Sequence, residues 1–253
     1  MSSSLLTHAD GPAVTVVEGA GSSPFLLVCE HASHVIPARL RELGLDAVDR
    51  LRHIAWDIGA ADVAKALARR LECPLILQNY SRLVCDCNRA IHQPDFIPRT
   101  SDGTVIPGNQ ALSAEERQRR IEEIYAPFHR QIAQAIETRR QRNQLTWLVA
   151  IHSFTPVLGG KARPWDVGVL YEQPSSLSEA VLAALRSDSA LCVGDNEPYS
   201  LHEVYSETMH RHGTLRNIPS IEIEVRQDHI SERAAAAVWA ERIYDVLRRL
   251  RPG

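Results

Sequence analysis

Short apolar runs alternate with longer amphipathic ones along this chain, and that alternation constrains the fold more than any other feature. Strand-like runs lie at Phe25–Cys29, Leu75–Gln78, 83–87, 147–151, 167–171, 191–193 and 220–225. Helical spacing separates them. Val63, Leu67 and Leu71 mark a helix over 59–71. Ser113 and Glu116 form a capping box that opens a long helix towards Arg142, with Ile121, Ile124, Phe128, Ile132 and Ala135 as its apolar stripe. Pro127 lies inside that helix and is expected to kink or split it. Two more helices are expected over 177–185 and 232–250, the last turning Val238, Ile243 and Val246 towards the sheet and Arg242, Arg248 and Arg249 towards water. Strands that alternate with helices give an α/β fold, and continuous apolar strands fit a largely parallel or mixed sheet flanked by helices.

A length of 253 residues suits one α/β domain over 1–253. Residues 1–22 carry no clear pattern and are expected to be poorly ordered. The long segment 90–110 contains Pro94, Pro98 and Pro107 and shows no period, which in a compact domain often marks a functional loop. Hydrophobic residues make up 44% and charged ones 23%, so the chain is expected to fold rather than remain disordered. A net charge of -3 gives no electrostatic reason to expect nucleic acid or an anionic membrane as partner. No run is long and apolar enough to span a bilayer, and no signal peptide is visible. The five cysteines are odd in number and are expected to be buried, reduced thiols of a cytoplasmic protein. Cys85 and Cys87 lack the paired spacing of a structural zinc site. Nothing points to a particular oligomeric state.

Ligands of parallel sheets gather at the carboxyl ends of the strands. The first expected strand ends in Glu30-His31, followed shortly by His34. The third leads into Asp86-Cys-Asn88-Arg89. The fourth ends in His152-Ser153, and the last carries Glu222 and Glu224 on one face. Each has a plain structural explanation when taken alone: a hydrogen-bonded histidine, a turn, a solvated edge strand. Together they bring imidazole, carboxylate, amide and guanidinium groups to one edge. Two histidines and an acid can make an open catalytic zinc site, with another carboxylate as base.

The segments CEHASHVIP (29–37), HIAWDIGAADVA (53–64), YSRLVCDCNR (80–89), IPGN (106–109), AIHSFTP (150–156), ARPWDVGVLY (162–171), VGDNEPYS (193–200) and IEIEVRQDHI (221–230) resemble, in order, the motifs of the N-formylglutamate amidohydrolase family. The resemblance implies a fold similar to the zinc carboxypeptidases, of the phosphorylase/hydrolase-like kind. It implies that His31 and His152 hold Zn2+ or another divalent metal. The carboxypeptidase motif is His-x-x-Glu, whereas the third residue after His31 here is His34. Asp57, inside a matching segment, is therefore expected to complete the ligand set, with His34 as second choice.

The same resemblance makes Glu224 the general base. Arg82 would stabilise an oxyanion, Asn88 and Arg89 would receive a substrate carboxylate, and His212, with Tyr205, would line the pocket. The implied substrate is a small anionic acyl amino acid, N-formylglutamate or a close relative. A metallo-carboxypeptidase or aminoacylase acting on a larger acyl group, and a non-catalytic binding protein on the same fold, are the alternatives.

Overall fold

Leu26 and Val28 pack into one hydrophobic cluster while Phe25, Leu27 and Cys29 pack into another, so the strand they form is covered on both faces. The computed structural model describes residues 4–250. Its seven sheet strands are β1 (Val14–Val17), β2 (Phe25–Cys29), β3 (Leu75–Gln78), β4 (Trp147–Phe154), β5 (Val167–Leu170), β6 (Val193–Asp195) and β7 (Ser220–Arg226). They lie in the order β1-β3-β2-β4-β7-β5-β6. The pairs β3–β2, β2–β4, β4–β7 and β5–β6 are parallel, while β1–β3 and β7–β5 are antiparallel. The sheet is therefore mixed and mostly parallel.

Helices α1 (Ala60–Leu71), α4 (Ser176–Arg186) and α5 (Arg233–Leu247) cover one face. On the other face the main helical cover is the run α2 (Ala114–Arg120), a wide π turn (Ile121–Tyr125) and α3 (Ala126–Gln141), with irregular segments filling the rest. The capping box at Ser113 and Glu116 is present. Pro127 has no N–H to continue the regular ladder, and the preceding turn widens so that the Ala126 N–H reaches Ile121 O.

The structure corrects several expectations. Residues 83–87 form no strand. Ser81 Oγ accepts from the Leu83 N–H at 3.1 Å and Asp86 Oδ1 from the Asn88 N–H at 2.8 Å, so side chains take backbone donors that a ladder would have used. Within the segment expected to be poorly ordered, Val14–Val17 forms the edge strand β1 on β3. Val238 is exposed, because Ala236, Trp239, Ala240 and Ile243 define the buried stripe of α5. Cys192 is exposed, while the other four cysteines are buried and unpaired. Among the described residues no helix is long and apolar enough to cross a membrane.

Candidate metal centre and substrate cleft

From β2 the chain passes by α1, on one face, to β3. From β3 it returns by α3, on the opposite face, to β4 on the other side of β2. The crevice between β2 and β4 is thus a topological switch point, where open α/β sheets bind ligands. His31 lies two residues beyond β2, and His152 lies near the carboxyl end of β4. Asp57 enters from the turn before α1, which packs along the same strands. Its N–H donates to His31 O at 3.0 Å and its carbonyl accepts from the Ala60 N–H at 3.2 Å. Gly59 follows with φ +81°, and a Cβ there would meet Ile230 O at 2.1 Å, so glycine is required where this turn passes under the chain.

These three side chains converge. Asp57 Oδ2 lies 2.8 Å from His152 Nδ1 and 3.3 Å from His31 Nδ1. Among the described residues, His31, Asp57 and His152 are the group whose ligand atoms, all within 4.8 Å of one another, could hold a metal ion. All three are buried. Each histidine turns its other nitrogen to a buried carboxylate. His31 Nε2 lies 2.7 Å from Asp86 Oδ1, and His152 Nε2 lies 3.2 Å from Glu30 Oε2. That is the arrangement of metal-ligating histidines, whose distal N–H is held by an anion. Two nitrogens and a carboxylate oxygen also match the donor set of an open catalytic zinc site. The fit has a second sign: His152 Nε2, both Glu30 oxygens and Glu224 Oε2 are buried without a hydrogen-bond partner, so this end of the cleft is electrostatically incomplete.

The charges respond to one another. Burial works against ionised Asp57, but the two imidazoles outweigh it and hold the carboxyl far below the usual range. Burial likewise disfavours charge on His152, and Glu30 and Asp57 reverse that effect, raising its pKa well above normal. Asp86 is kept ionised against burial by Arg82 and His31. Arg82 donates to Asp86 Oδ2 at 2.8 Å and to Asp57 Oδ1 at 3.4 Å, so it closes one side of the centre while remaining part-exposed to the cleft.

Glu222 and Glu224 share one face of β7 with His152 on β4, where Glu224 and His152 are register partners. The strand lies between β4 and β5, which removes the solvated-edge explanation for its carboxylates. The two glutamates differ sharply. Glu222 Oε1 accepts from Ser206 Oγ at 2.6 Å and from Asn88 Nδ2 at 3.1 Å. Glu224 Oε2 has no partner. Burial, with Asp57 and Glu222 adding to it, pushes the Glu224 pKa up to about 8.

The cleft encloses about 510 Å³ of empty space, some of it open to solvent, a size suited to a small molecule. His31, Asp57, His152 and Glu224 lie at its floor, and Arg82, Asn88, Arg89 and Tyr205 also line it. Asn88 is fixed: its Oδ1 accepts from the Thr208 N–H and its Nδ2 donates to Glu222, with Ser206 Oγ packed against both. Arg89 donates through Nε to Asp95 at 2.7 Å and through Nη1 to Asn88 O and Tyr205 O. His34 stands apart and packs on the Trp56 ring.

His212 does not line the cleft. It is fully buried and stacks on His129, with Nε2 2.9 Å from His129 Nδ1, and burial beside His129 and Arg211 lowers its pKa to about 2. A position before the last strand says nothing of which way a wide helical turn faces, and Met209–Gly213 turns this ring inward. Sequence reasoning assigned no role to Asp86 and Glu30, the partners of the two histidines. The two-residue alternation that groups Leu26, Val28 and Glu30 was the available signal for Glu30.

A family model described as N-formylglutamate amidohydrolase matches residues 23–231. Among solved structures, the gene product Atu2144 from Agrobacterium tumefaciens is 36% identical with a TM-score of 0.93, and the match covers 97% of each chain. The N-formylglutamate amidohydrolase from Ralstonia eutropha JMP134 is 20% identical with a TM-score of 0.71, covering 94% of this chain and 96% of that one. At that identity the second likeness speaks to the fold. No curated protein gives a significant match.

Proposed function

The chain belongs to the N-formylglutamate amidohydrolase family, and from that premise we propose that it is a metal-dependent amidohydrolase that cleaves N-formylglutamate, or a close N-acyl amino acid, to formate and the free amino acid. The observation that carries the reading is the buried His31–Asp57–His152 group, with an unpartnered carboxylate, Glu224, beside it.

His31 and His152 would hold the ion through Nδ1 and Asp57 through Oδ2. Zn2+ suits this donor set, as would another divalent ion. When bound, the ion supplies Lewis-acid polarisation of the amide carbonyl and makes water acidic, from a pKa of about 15.7 towards about 7. The protein does the rest. Glu224 Oε2 takes a proton from the attacking water as its oxygen bonds to the acyl carbon. The same carboxyl then delivers that proton to the amide nitrogen as the C–N bond breaks. Arg82 places its guanidinium where oxyanion charge develops, held there by Asp86.

Arg89 and Asn88 would orient the amino-acid end. Asn88 is locked by Ser206, Thr208 and Glu222, and Arg89 has Nη2 uncommitted by its contacts to Asp95, Asn88 O and Tyr205 O. A substrate carboxylate can be received there by Nη2 in a charge-assisted hydrogen bond. A small anionic substrate fits this end of the cleft, and a cytoplasmic setting fits the reduced cysteines.

One observation favours a larger acyl or leaving group. A second pocket adjoins the first, shares Arg82, Arg89 and Tyr199 with it, and runs under the 90–110 segment. An aminoacylase or carboxypeptidase-like activity would use that space. Metal analysis of the purified protein, followed by kcat/KM for N-formylglutamate, N-acetylglutamate and a dipeptide, tests both readings. Preference for the formyl substrate by the metal-loaded protein is the expected result. Absence of metal dependence would overturn the mechanism, and preference for the larger groups would reassign the substrate.

A further inference from the structure

On the face of the sheet towards α3, the parallel strands β2, β4 and β7 carry matching positions. Val28 is the register partner of Ala150, and Glu224 is the register partner of His152. Two residues beyond Val28, on the same face, comes Glu30, opposite His152. The row Glu30, His152, Glu224 therefore crosses three strands, with the histidine between two buried carboxylates. The Glu30 side chain has no exposure, and neither of its oxygens has a hydrogen bond. Oε2 approaches His152 Nε2 to 3.2 Å without the alignment of a hydrogen bond, and the Thr208 hydroxyl lies beside Glu30.

A fully buried carboxylate with no aligned donor destabilises a fold. Asp86, the anion on the other histidine, has independent structural work: it binds Arg82 and accepts from the Asn88 N–H. No hydrogen-bonding role in the fold accounts for Glu30. Its one charged neighbour at contact distance is the distal nitrogen of a histidine whose Nδ1 points at the candidate ion position.

We propose that Glu30 is the positioning residue for His152, accepting its Nε2–H when the ion is bound at Nδ1 and so holding the imidazole in the tautomer and rotation that ligation needs. This rests on the metal reading above. Glu30 strengthens the metal site, because an anion on the distal N–H makes the ligating nitrogen more basic. In the metal-free protein it faces His152 at 3.2 Å and offsets charge on that ring. A residue that merely fills space would leave Zn2+ affinity unchanged when replaced by the isosteric Gln.

The test compares wild type, Glu30→Gln and Glu30→Met on two readouts other than activity. Zn2+ affinity is measured by competition with a chromophoric chelator, and the melting temperature is measured after metal removal. Zn2+ affinity is expected to fall about 10–100-fold in Glu30→Met and less in Glu30→Gln, which retains one acceptor oxygen. In metal-free protein both variants should keep a single cooperative melting transition, so that a loss of affinity is not a loss of fold. In zinc-loaded protein, the downfield proton resonance of the His152 ring N–H should be lost in Glu30→Met, while that of His31, held by Asp86, remains. Unchanged Zn2+ affinity in both variants would overturn the proposal, as would retention of the His152 ring N–H resonance in zinc-loaded Glu30→Met. If Glu30→Met does not fold, the isosteric Glu30→Gln decides on Zn2+ affinity. Failure of wild type to bind Zn2+ would instead remove the metal reading itself, a result distinguishable from a change confined to the variants.

Discussion

The two ends of the cleft are built on opposite plans. At the Asn88 end, hydrogen bonds close on one another: Glu222 accepts from Asn88 and Ser206, and Asn88 accepts from the Thr208 N–H. At the His31 end, four buried acids and two buried histidines crowd together and four of their polar atoms have no partner. Only the first end is complete with protein atoms alone. A saturated network holds a shape, whereas an unsaturated one is matched to a group from outside, and the proposed function assigns recognition to the first end and chemistry to the second. It also separates two glutamates that are neighbours on one strand.

Removing a ligand at the incomplete end should have the largest effect. Asp57→Ala is expected to abolish stoichiometric zinc and with it turnover, while His34→Ala keeps both, as measured by elemental analysis and assay. Full zinc in Asp57→Ala together with loss in His34→Ala would break the comparison at its root. Next comes Glu224→Gln, for which kcat should fall about 10²–10⁴-fold with metal retained, the usual contribution of a general base. Near-wild-type turnover of metal-loaded Glu224→Gln would move the base elsewhere.

At the saturated end, Arg89→Lys should reduce kcat/KM by about 1.5–3 kcal/mol, because an ammonium cannot reproduce the planar fork. Amidating the substrate carboxylate should then hurt wild type far more than the variant, and equal penalties would mean that Arg89 binds something else. Glu222→Gln should act chiefly on stability, costing about 1–3 kcal/mol by placing an amide where Asn88 and Ser206 need an acceptor. A drop in kcat matching that of Glu224→Gln would erase the distinction between the two residues.

The smallest effect is a pH dependence of the metal-free protein. Glu224 has a folded pKa raised from 4.5 to about 8, so the folded state binds its proton more tightly than the unfolded chain does. Stability from this group is present at low pH and is lost as pH rises through about 8. The Tm of metal-free Glu224→Gln should therefore exceed that of wild type at pH 9 and approach it near pH 5. A constant difference across that range would show that burial does not hold the Glu224 proton.

The sequence by itself determined the layered α/β class and most sheet strands, because a two-residue alternation and a 3.6-residue stripe are local properties of the chain. It also placed His31 and His152 near strand ends and put Glu222 and Glu224 on a common face, since strand geometry alone dictates which side chains share a side. It misread 83–87, where apolar composition favoured a strand but Ser81 and Asp86 captured the backbone donors. The inward turn of His212 onto His129 depended on packing across the molecule, which no local pattern encodes. Only the tertiary structure decided that β7 sits between β4 and β5, that Asp57 rather than His34 reaches both histidines, and that Glu30 faces His152. These are facts of strand order and register. Residues separated by about a hundred positions meet because parallel strands align their ends, and one chain-local pattern is compatible with many such orders.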